Sequence, residues 1–330
     1  MNIFITGGAG FIGGHLTEAL IRRGDRVRVL DDLSTGSLDN LAKVSGNPGF
    51  EFIRADVVQD ASLVRRCVME SDAVIHLAAA VGVELVVKEP ARTITTNVHG
   101  TENVLTPAAE FGKRVIIAST SEVYGKSPRE RFAESDDLII GPSVHSRWSY
   151  ACSKLLDEFL LMAHCRASGL PGTVVRFFNT VGPRQTGRYG MVIPRFVGAA
   201  LAGKPLQVYG DGGQTRCFCH IADVVAALLL LLDRKETYGE IYNIGSDESI
   251  SIRSLAERVI KRTGSSSGIE LVPYDVAYAA GFEDMRHRMP DTGKLTKLTG
   301  WRPRRTLDEI IDDVASEMRG RAAKRITSSR

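Results

Sequence analysis

The sequence predicts an α/β fold, a doubly wound parallel sheet with a smaller C-terminal ligand-binding region. Three observations lead there. Apolar β-favouring runs alternate with amphipathic helical stretches through the first half. A glycine-rich turn joins the first strand to the first helix. Beyond about Asn179 the texture changes to Gly- and Pro-rich segments broken by short helices.

In chain order, Ile3–Thr6, Arg26–Leu30, Glu51–Arg54, Ala73–His76, Arg114–Ala118 and Gly172–Phe177 read as strands. Helical patterns between them imply a parallel sheet covered on both faces, and right-handed crossovers leave few topologies besides a doubly wound one. Segments such as "GPRQTGRYG" and "YGDGGQTRCF" read as loops, with short helices around Ile193–Ala202, Ile221–Leu232 and Ser251–Thr263. Gly239–Gly245 reads as a late strand rejoining the sheet. Residues 1–178, rejoined by about 220–245, are therefore expected to form the sheet domain, and 179–219 with 246–330 the ligand-binding region. The basic tail after Arg319 is expected to fray.

With 330 residues, 43% of them apolar, the chain can bury a full core. Its 42 Lys and Arg against 39 Asp and Glu leave a formal charge of only +3, so nucleic acid is not an expected partner. Five cysteines with no CxxC pair predict neither a disulfide framework nor a metal site. A strand that begins at Asn2 leaves no room for a signal peptide, and the apolar run Val224–Leu232 is too short to span a bilayer. The expectation is a cytoplasmic protein without a membrane partner.

In "TGGAGFIGGHL", Gly7, Gly10 and Gly13 lie between a strand and a helix. Gly7 suits a tight turn, Gly10 the close approach of a pyrophosphate, and Gly13 the packing of helix on sheet. Phosphates then sit at a helix N-terminus, where free N–H groups and the helix dipole favour negative charge. The second strand ends in "VLDDLSTG", which places Asp31 to accept hydrogen bonds from the adenosine ribose; a carboxylate there repels the extra phosphate of NADP, so NAD is the expected cofactor. Asp56, after the third strand, is placed either to receive the adenine amino group or simply to end a strand in solvent. Phe11, Ile12, Asp32, Ser34 and Val57 complete the contacts expected around these positions.

The fifth strand runs into "IIASTSEVYG", and "RWSYACSK" follows, supplying Thr120, Tyr150 and Lys154. Spacing of four puts phenol and ammonium one helical turn apart on one face. A phenol of pKa about 10 is a poor base near neutrality unless a neighbouring cation stabilises the phenolate. Lys154 and an oxidised nicotinamide are the expected cations, and Thr120 would share the proton of the hydroxyl being oxidised.

With "HLAA", "NVHGTENVL", "RFFNTVGPRQ" and "YGDGGQTRCF" in order after these motifs, the chain resembles the extended short-chain dehydrogenase/reductase superfamily, whose Rossmann-fold members include nucleotide-sugar epimerases, dehydratases and decarboxylases. The resemblance spans Asn2 to about Arg319. It implies that Leu77, Ala78 and Ala79 line the cofactor, that Asn97 supports the sheet end beside it, and that helices around Thr96–Phe111 and Tyr150–Ala167 build a homodimer.

Asn179, Arg188, Tyr209 and Arg216 suggest a UDP-sugar, since planar guanidinium groups donate paired hydrogen bonds to a diphosphate. By similarity, Arg216 and Arg288 face phosphate or the sugar end, Tyr209 lies near the base, and Ser121 joins the sugar contacts. Glu122 departs from ordinary sugar 4-epimerases, which carry a small residue there. "TSE" and "GFEDMRHRMPD" instead resemble UDP-glucuronate decarboxylases, whose chemistry this implies: oxidation of the 4-hydroxyl, loss of carbon dioxide, and release of UDP-xylose or a UDP-4-keto-pentose. Catalytic roles then fall to Thr120, Tyr150, Lys154, Glu122 and Arg288. A UDP-sugar 4-epimerase acting on UDP-glucose or UDP-glucuronate is the main alternative. A dehydratase, a ring-contracting apiose/xylose synthase and a non-catalytic dinucleotide-binding module rank below it.

Overall fold

The computed structural model describes residues 1–82, 88–187, 191–273 and 285–328. The strands are β1 (Asn2–Thr6), β2 (Arg26–Asp31), β3 (Phe50–Arg54), β4 (Ala73–His76), β5 (Arg114–Thr120), β6 (Gly172–Phe177), β7 (Thr180–Val181), β8 (Leu206–Tyr209), β9 (Thr215–Cys217), β10 (Cys219–His220), β11 (Glu240–Ile244), β12 (Ser249–Ser251) and β13 (Ile269–Val272). The helices are α1 (Phe11–Arg23), α2 (Ala61–Glu70), α3 (Pro90–Glu110), α4 (Trp148–Ser168), α5 (Val192–Leu201), α6 (Ile221–Leu232), α7 (Ile252–Thr263), α8 (Gly293–Thr299) and α9 (Leu307–Ser328).

Seven strands form the main sheet in the order β11-β6-β5-β4-β1-β2-β3, every neighbouring pair parallel. The doubly wound expectation is met, and Glu240–Ile244 is the seventh strand read from the sequence. The period-two alternation of the strands explains how both faces are covered. Ile3, Ile5, Val27 and Val29 face Leu16 and Leu20 of α1 and Leu228 and Leu231 of α6. Phe4 and Leu30 face Val64 and Val68 of α2, Val104 and Leu105 of α3 and Leu161 of α4. Each such fully buried aliphatic side chain contributes about 1.5–3 kcal/mol.

A further apolar cluster joins Ile193, Phe196 and Val197 of α5, Leu206 and Val208 of β8, Leu255 and Val259 of α7, and Ile310, Ile311 and Val314 of α9. Segments expected to be loops here contain short strands, paired β7 with β10, β8 with β13 and β9 with β12. Each is two to four residues long, too short to show periodicity. The terminal helix continues to Ser328 instead of fraying at Arg319.

Register aligns the C-terminal ends of the strands: Thr6 pairs with Leu30 and with His76, and Thr120 with Phe177. The chain runs outward from β1 to β3 and then crosses to β4 on the other side, so a crevice opens between the ends of β1 and β4. Ligands of open α/β sheets bind at such a reversal.

Candidate active site

A cleft of about 660 Å³ occupies that crevice, with the glycine turn and the ends of β2, β4 and β5 on one side and Asn179, Tyr209, Arg216 and Arg288 on the other. Gly7 takes φ of +70°, and its N–H donates to the Leu30 carbonyl at 2.8 Å. A Cβ on Gly7 would stand 2.6 Å from the Ala78 nitrogen, and one on Gly13 would stand 2.5 Å from the Gly7 oxygen and the Gly8 Cα. Gly7 and Gly13 are thus required by the packing of turn, helix and β4 loop. Gly10 differs: a Cβ there meets only the Gly7 oxygen, at 3.1 Å, so its other side is open. Gly10 caps α1 without a side-chain hydrogen bond, and the first turn carries no acid. Open backbone at an uncapped helix N-terminus fits the pyrophosphate of a dinucleotide. Phe11, Ile12, Leu77, Ala78 and Ala79 line the same cleft.

Asp31 also lines the cleft, and its carboxylate holds the turn together: Oδ2 accepts the Ala9 N–H at 2.9 Å and Oδ1 the Leu33 N–H at 2.8 Å. Burial pushes its carboxyl pKa up against these two bonds, which favour the charged form. Asp32 Oδ1 accepts from the N–H and hydroxyl of Ser34 at 2.9 and 2.7 Å, and Asp56 Oδ1 accepts the Val58 N–H at 2.7 Å. Asp32, Ser34, Asp56 and Val57 all reach the cleft. Asn97 does not line it. Fully buried on α3, it accepts the Ala80 N–H at 2.8 Å and donates to Ser153 Oγ at 2.9 Å, tying the loop after β4 to α4.

Thr120, Glu122, Tyr150 and Lys154 converge on the middle of the cleft. Thr120 Oγ1 accepts the Glu122 N–H at 3.2 Å, which starts the turn that brings Glu122 to the cleft. That turn sends Ser121 inward instead; it is fully buried and outside the lining. Burial pushes the Tyr150 phenol well above its usual pKa, the charges of Glu122 and Asp157 add to this, and a hydrogen bond with Thr120 and the charge of Arg288 oppose it. The Lys154 ammonium, itself buried, donates to Asp157 Oδ2 at 2.7 Å.

On the opposite wall, Arg288 lies 3.6 Å from Glu122 Oε1 and donates to Asn179 Oδ1 at 3.4 Å. Arg216 donates to the Thr215 carbonyl at 2.8 Å, and the Tyr209 ring packs under the Arg195 guanidinium, 4.1 Å from its centroid. Arg188 lies outside the described residues. The lining includes four arginines that the sequence reading passed over, Arg92, Arg147, Arg184 and Arg195. Arg147 precedes Tyr150 by three positions, a helical-face spacing that was available to see. Arg184 donates to Glu18 Oε1 at 2.6 Å and to the Asn40 carbonyl at 2.8 Å, joining the far wall to α1, and nothing local in "VGPRQ" announces that role. Among the described residues, no group of three or more His, Cys, Asp or Glu side chains is placed to hold a metal ion, and no helix is long and apolar enough to cross a membrane.

The sequence profile of the NAD dependent epimerase/dehydratase family matches residues 3–245. The chain is 43% identical over 300 residues to a Bacillus cytotoxicus protein named UDP-N-acetyl-alpha-D-glucosaminuronate decarboxylase, covering 91% of this chain and 92% of that one. It is 36% identical over 321 residues to UDP-glucuronic acid decarboxylase 1 of Arabidopsis thaliana, covering 97% of this chain and 70% of the relative. In three dimensions it is similar to UDP-glucuronic acid 4-epimerase from Bacillus cereus, solved with UDP-glucuronic acid and NAD, with a TM-score of 0.86, 27% identity and coverage of 97% and 99%.

Proposed function

The chain belongs to the NAD dependent epimerase/dehydratase family, and from that premise we propose that it is an NAD-dependent decarboxylase of a UDP-linked hexuronate, with UDP-glucuronate as substrate. The observation that carries the reading is the Glu122–Arg288 pair, 3.6 Å apart and lining the same cleft as Tyr150. An epimerase needs only Thr120, Tyr150 and Lys154, whereas removal of a carboxylate calls for a cation to receive it. The names of the Bacillus and Arabidopsis relatives both support decarboxylation of a UDP-hexuronate, the Arabidopsis name with glucuronic acid and the Bacillus name with N-acetylglucosaminuronate.

In this reading residues 1–178 with 220–245 hold NAD and 179–219 with 246–330 hold the nucleotide sugar. The amides of the glycine turn take the pyrophosphate, Asp31 the adenosine ribose and Asp56 the adenine, while Leu77, Ala78 and Ala79 support the nicotinamide end. Asn179, Tyr209 and Arg216 hold the UDP. When bound, NAD accepts the hydride from carbon 4 of the sugar and supplies positive charge beside the phenol. Tyr150 takes the 4-hydroxyl proton, shared through Thr120. The resulting 4-ketone is β to the carboxylate on carbon 5. The bond between carbon 5 and the carboxylate breaks, carbon dioxide leaves, and its electron pair becomes an enolate whose oxygen faces Thr120 and Tyr150. Arg288 orients the carboxylate beforehand, and Glu122 orients Arg288. Protonation of the enolate at carbon 5 by water gives a 4-keto-pentose, which is released as such or would take back at carbon 4 the hydride that NAD had received, giving UDP-xylose.

The second reading is a UDP-glucuronate 4-epimerase, favoured by the shared Thr120, Tyr150 and Lys154 and by the likeness to the Bacillus cereus epimerase. Incubation with NAD and either UDP-glucuronate or UDP-N-acetylglucosaminuronate separates the two. Carbon dioxide and a UDP-pentose are expected; UDP-galacturonate without carbon dioxide would replace the first reading by the second.

A further inference from the structure

We propose that Tyr124 and Asn243 are positioning residues for the Glu122–Arg288 pair: one buried amide clamps the turn that carries Glu122 to the segment that carries Arg288, and so fixes the cation that receives a substrate carboxylate. The inference rests on the reading that Arg288 receives that carboxylate and Glu122 orients it. Glu122 and Tyr124 share the short 3-10 turn Ser121–Tyr124 at the end of β5. Arg288 lies in an irregular segment anchored on both sides. The Arg286 carbonyl accepts the Thr215 N–H at 2.9 Å, the Met289 carbonyl accepts the Phe132 N–H at 2.9 Å, and the Asp291 N–H donates to the Phe132 carbonyl at 2.9 Å.

Asn243 of β11 joins the turn to this segment. It is fully buried, as is Tyr124, and neither lines the cleft, so their influence on a bound sugar passes through other residues. Asn243 Nδ2 donates to the Phe132 carbonyl at 2.8 Å and to the Asp291 carbonyl at 3.2 Å. Carbonyl oxygens only accept, so the amide nitrogen faces them, Oδ1 faces Tyr124, and the Tyr124 hydroxyl donates to it at 2.8 Å. The Tyr124 ring is itself held, stacked on Phe132 with centroids 4.7 Å apart and with the Arg176 guanidinium 4.8 Å from its centroid. Arg176 is fixed in turn by Glu158 of α4 at 2.7 Å. The clamp thus ties both members of the pair to the helix that bears Tyr150, where a misplacement of about 1 Å can cost about a hundredfold in rate.

Tyr124→Phe deletes the donor and keeps the ring. Binding is measured by calorimetry on NAD-loaded protein in a Tyr150→Phe parent, so that the sugar is not consumed, with UDP-glucuronate and with UDP-glucose, which lacks the carboxylate. Tyr124→Phe is expected to weaken UDP-glucuronate at least about fivefold and to leave UDP-glucose within about twofold. Arg288→Met is expected to weaken UDP-glucuronate about tenfold or more, and Tyr124→Phe to add nothing in that background, because the two act through one contact. Equal losses for both sugars, the same fold-loss with and without Arg288, or parental UDP-glucuronate affinity in Tyr124→Phe beside a weakened Arg288→Met overturns the proposal and leaves the functional reading standing. Parental UDP-glucuronate affinity in Arg288→Met itself overturns that reading, and the proposal with it.

Discussion

Gly10 and Gly13 occupy the same turn for different reasons, and substitution separates them. A methyl group at Gly13 drives into backbone at 2.5 Å that cannot move aside, whereas at Gly10 it meets only the Gly7 oxygen at 3.1 Å. Gly13→Ala is expected to cost about 2–4 kcal/mol in urea unfolding, within the range for overpacked or strained sites. Gly10→Ala should unfold within about 1 kcal/mol of wild type yet bind NAD at least about tenfold more weakly in calorimetry, because backbone can no longer approach phosphate. Equal effects in both variants would refute the distinction. Glu122 offers a second residue-level test. Its charge helps to hold the Tyr150 proton on, while Arg288 acts in the opposite sense. Glu122→Gln is therefore expected to shift the limb on which NADH formation rises with pH to lower pH and Arg288→Met to higher pH, each by about half a unit to one unit. A common direction in both variants would show that neither charge governs the phenol.

At the scale of elements, α3 and α4 pack on the sheet through Val104, Leu105 and Leu161, yet keep an apolar stripe outside. Leu156 and Phe159 on α4 are 50% and 61% exposed, and Ile94 on α3 is 42% exposed. Cys152, Leu156 and Phe159 fall at i, i+4 and i+7, one face of a helix. We propose that a second copy covers this stripe about a two-fold axis, as the family resemblance implies. Light scattering is expected to give twice the 35.9 kDa chain mass for the wild type and a single chain for Phe159→Glu; a monomeric wild type would reject the pairing. The helices that carry this stripe were legible in the sequence, as were the seven sheet strands, because long buried runs such as Arg114–Thr120 are bracketed by turn residues. Strands β8, β9, β12 and β13 were not, since Leu206 and Ile269 become strand neighbours only through a contact 63 positions apart. Asp157 was visible three residues from Lys154, but that spacing equally describes a solvated pair; only burial makes the contact consequential.

Across the whole molecule, buried imidazoles, His15 and His76 foremost, make stability depend on pH. Burial lowers His15 to about 4, partly offset by its bond to the Pro183 carbonyl, and lowers His76 to about 3, with Lys154 adding to the effect. Both therefore stay neutral in the folded chain at pH 5, while the unfolded chain takes up protons near pH 6.5. Stability is full above that value and is lost as pH falls toward the folded pKa values, by about 1–2 kcal/mol for each imidazole at pH 5. Urea midpoints at pH 7.5 and pH 5 measure this, and equal midpoints would contradict it. The cofactor preference is built into the same framework. In the proposed reading Asp31 repels an added ribose phosphate, and the same carboxylate clamps Ala9 and Leu33. Discrimination and architecture therefore share one side chain, so exchanging Asp31 for a smaller or basic residue to recruit the phosphorylated dinucleotide would slacken the turn that must grip it. A lineage changing its coenzyme has to re-anchor that turn before it can relinquish the acid.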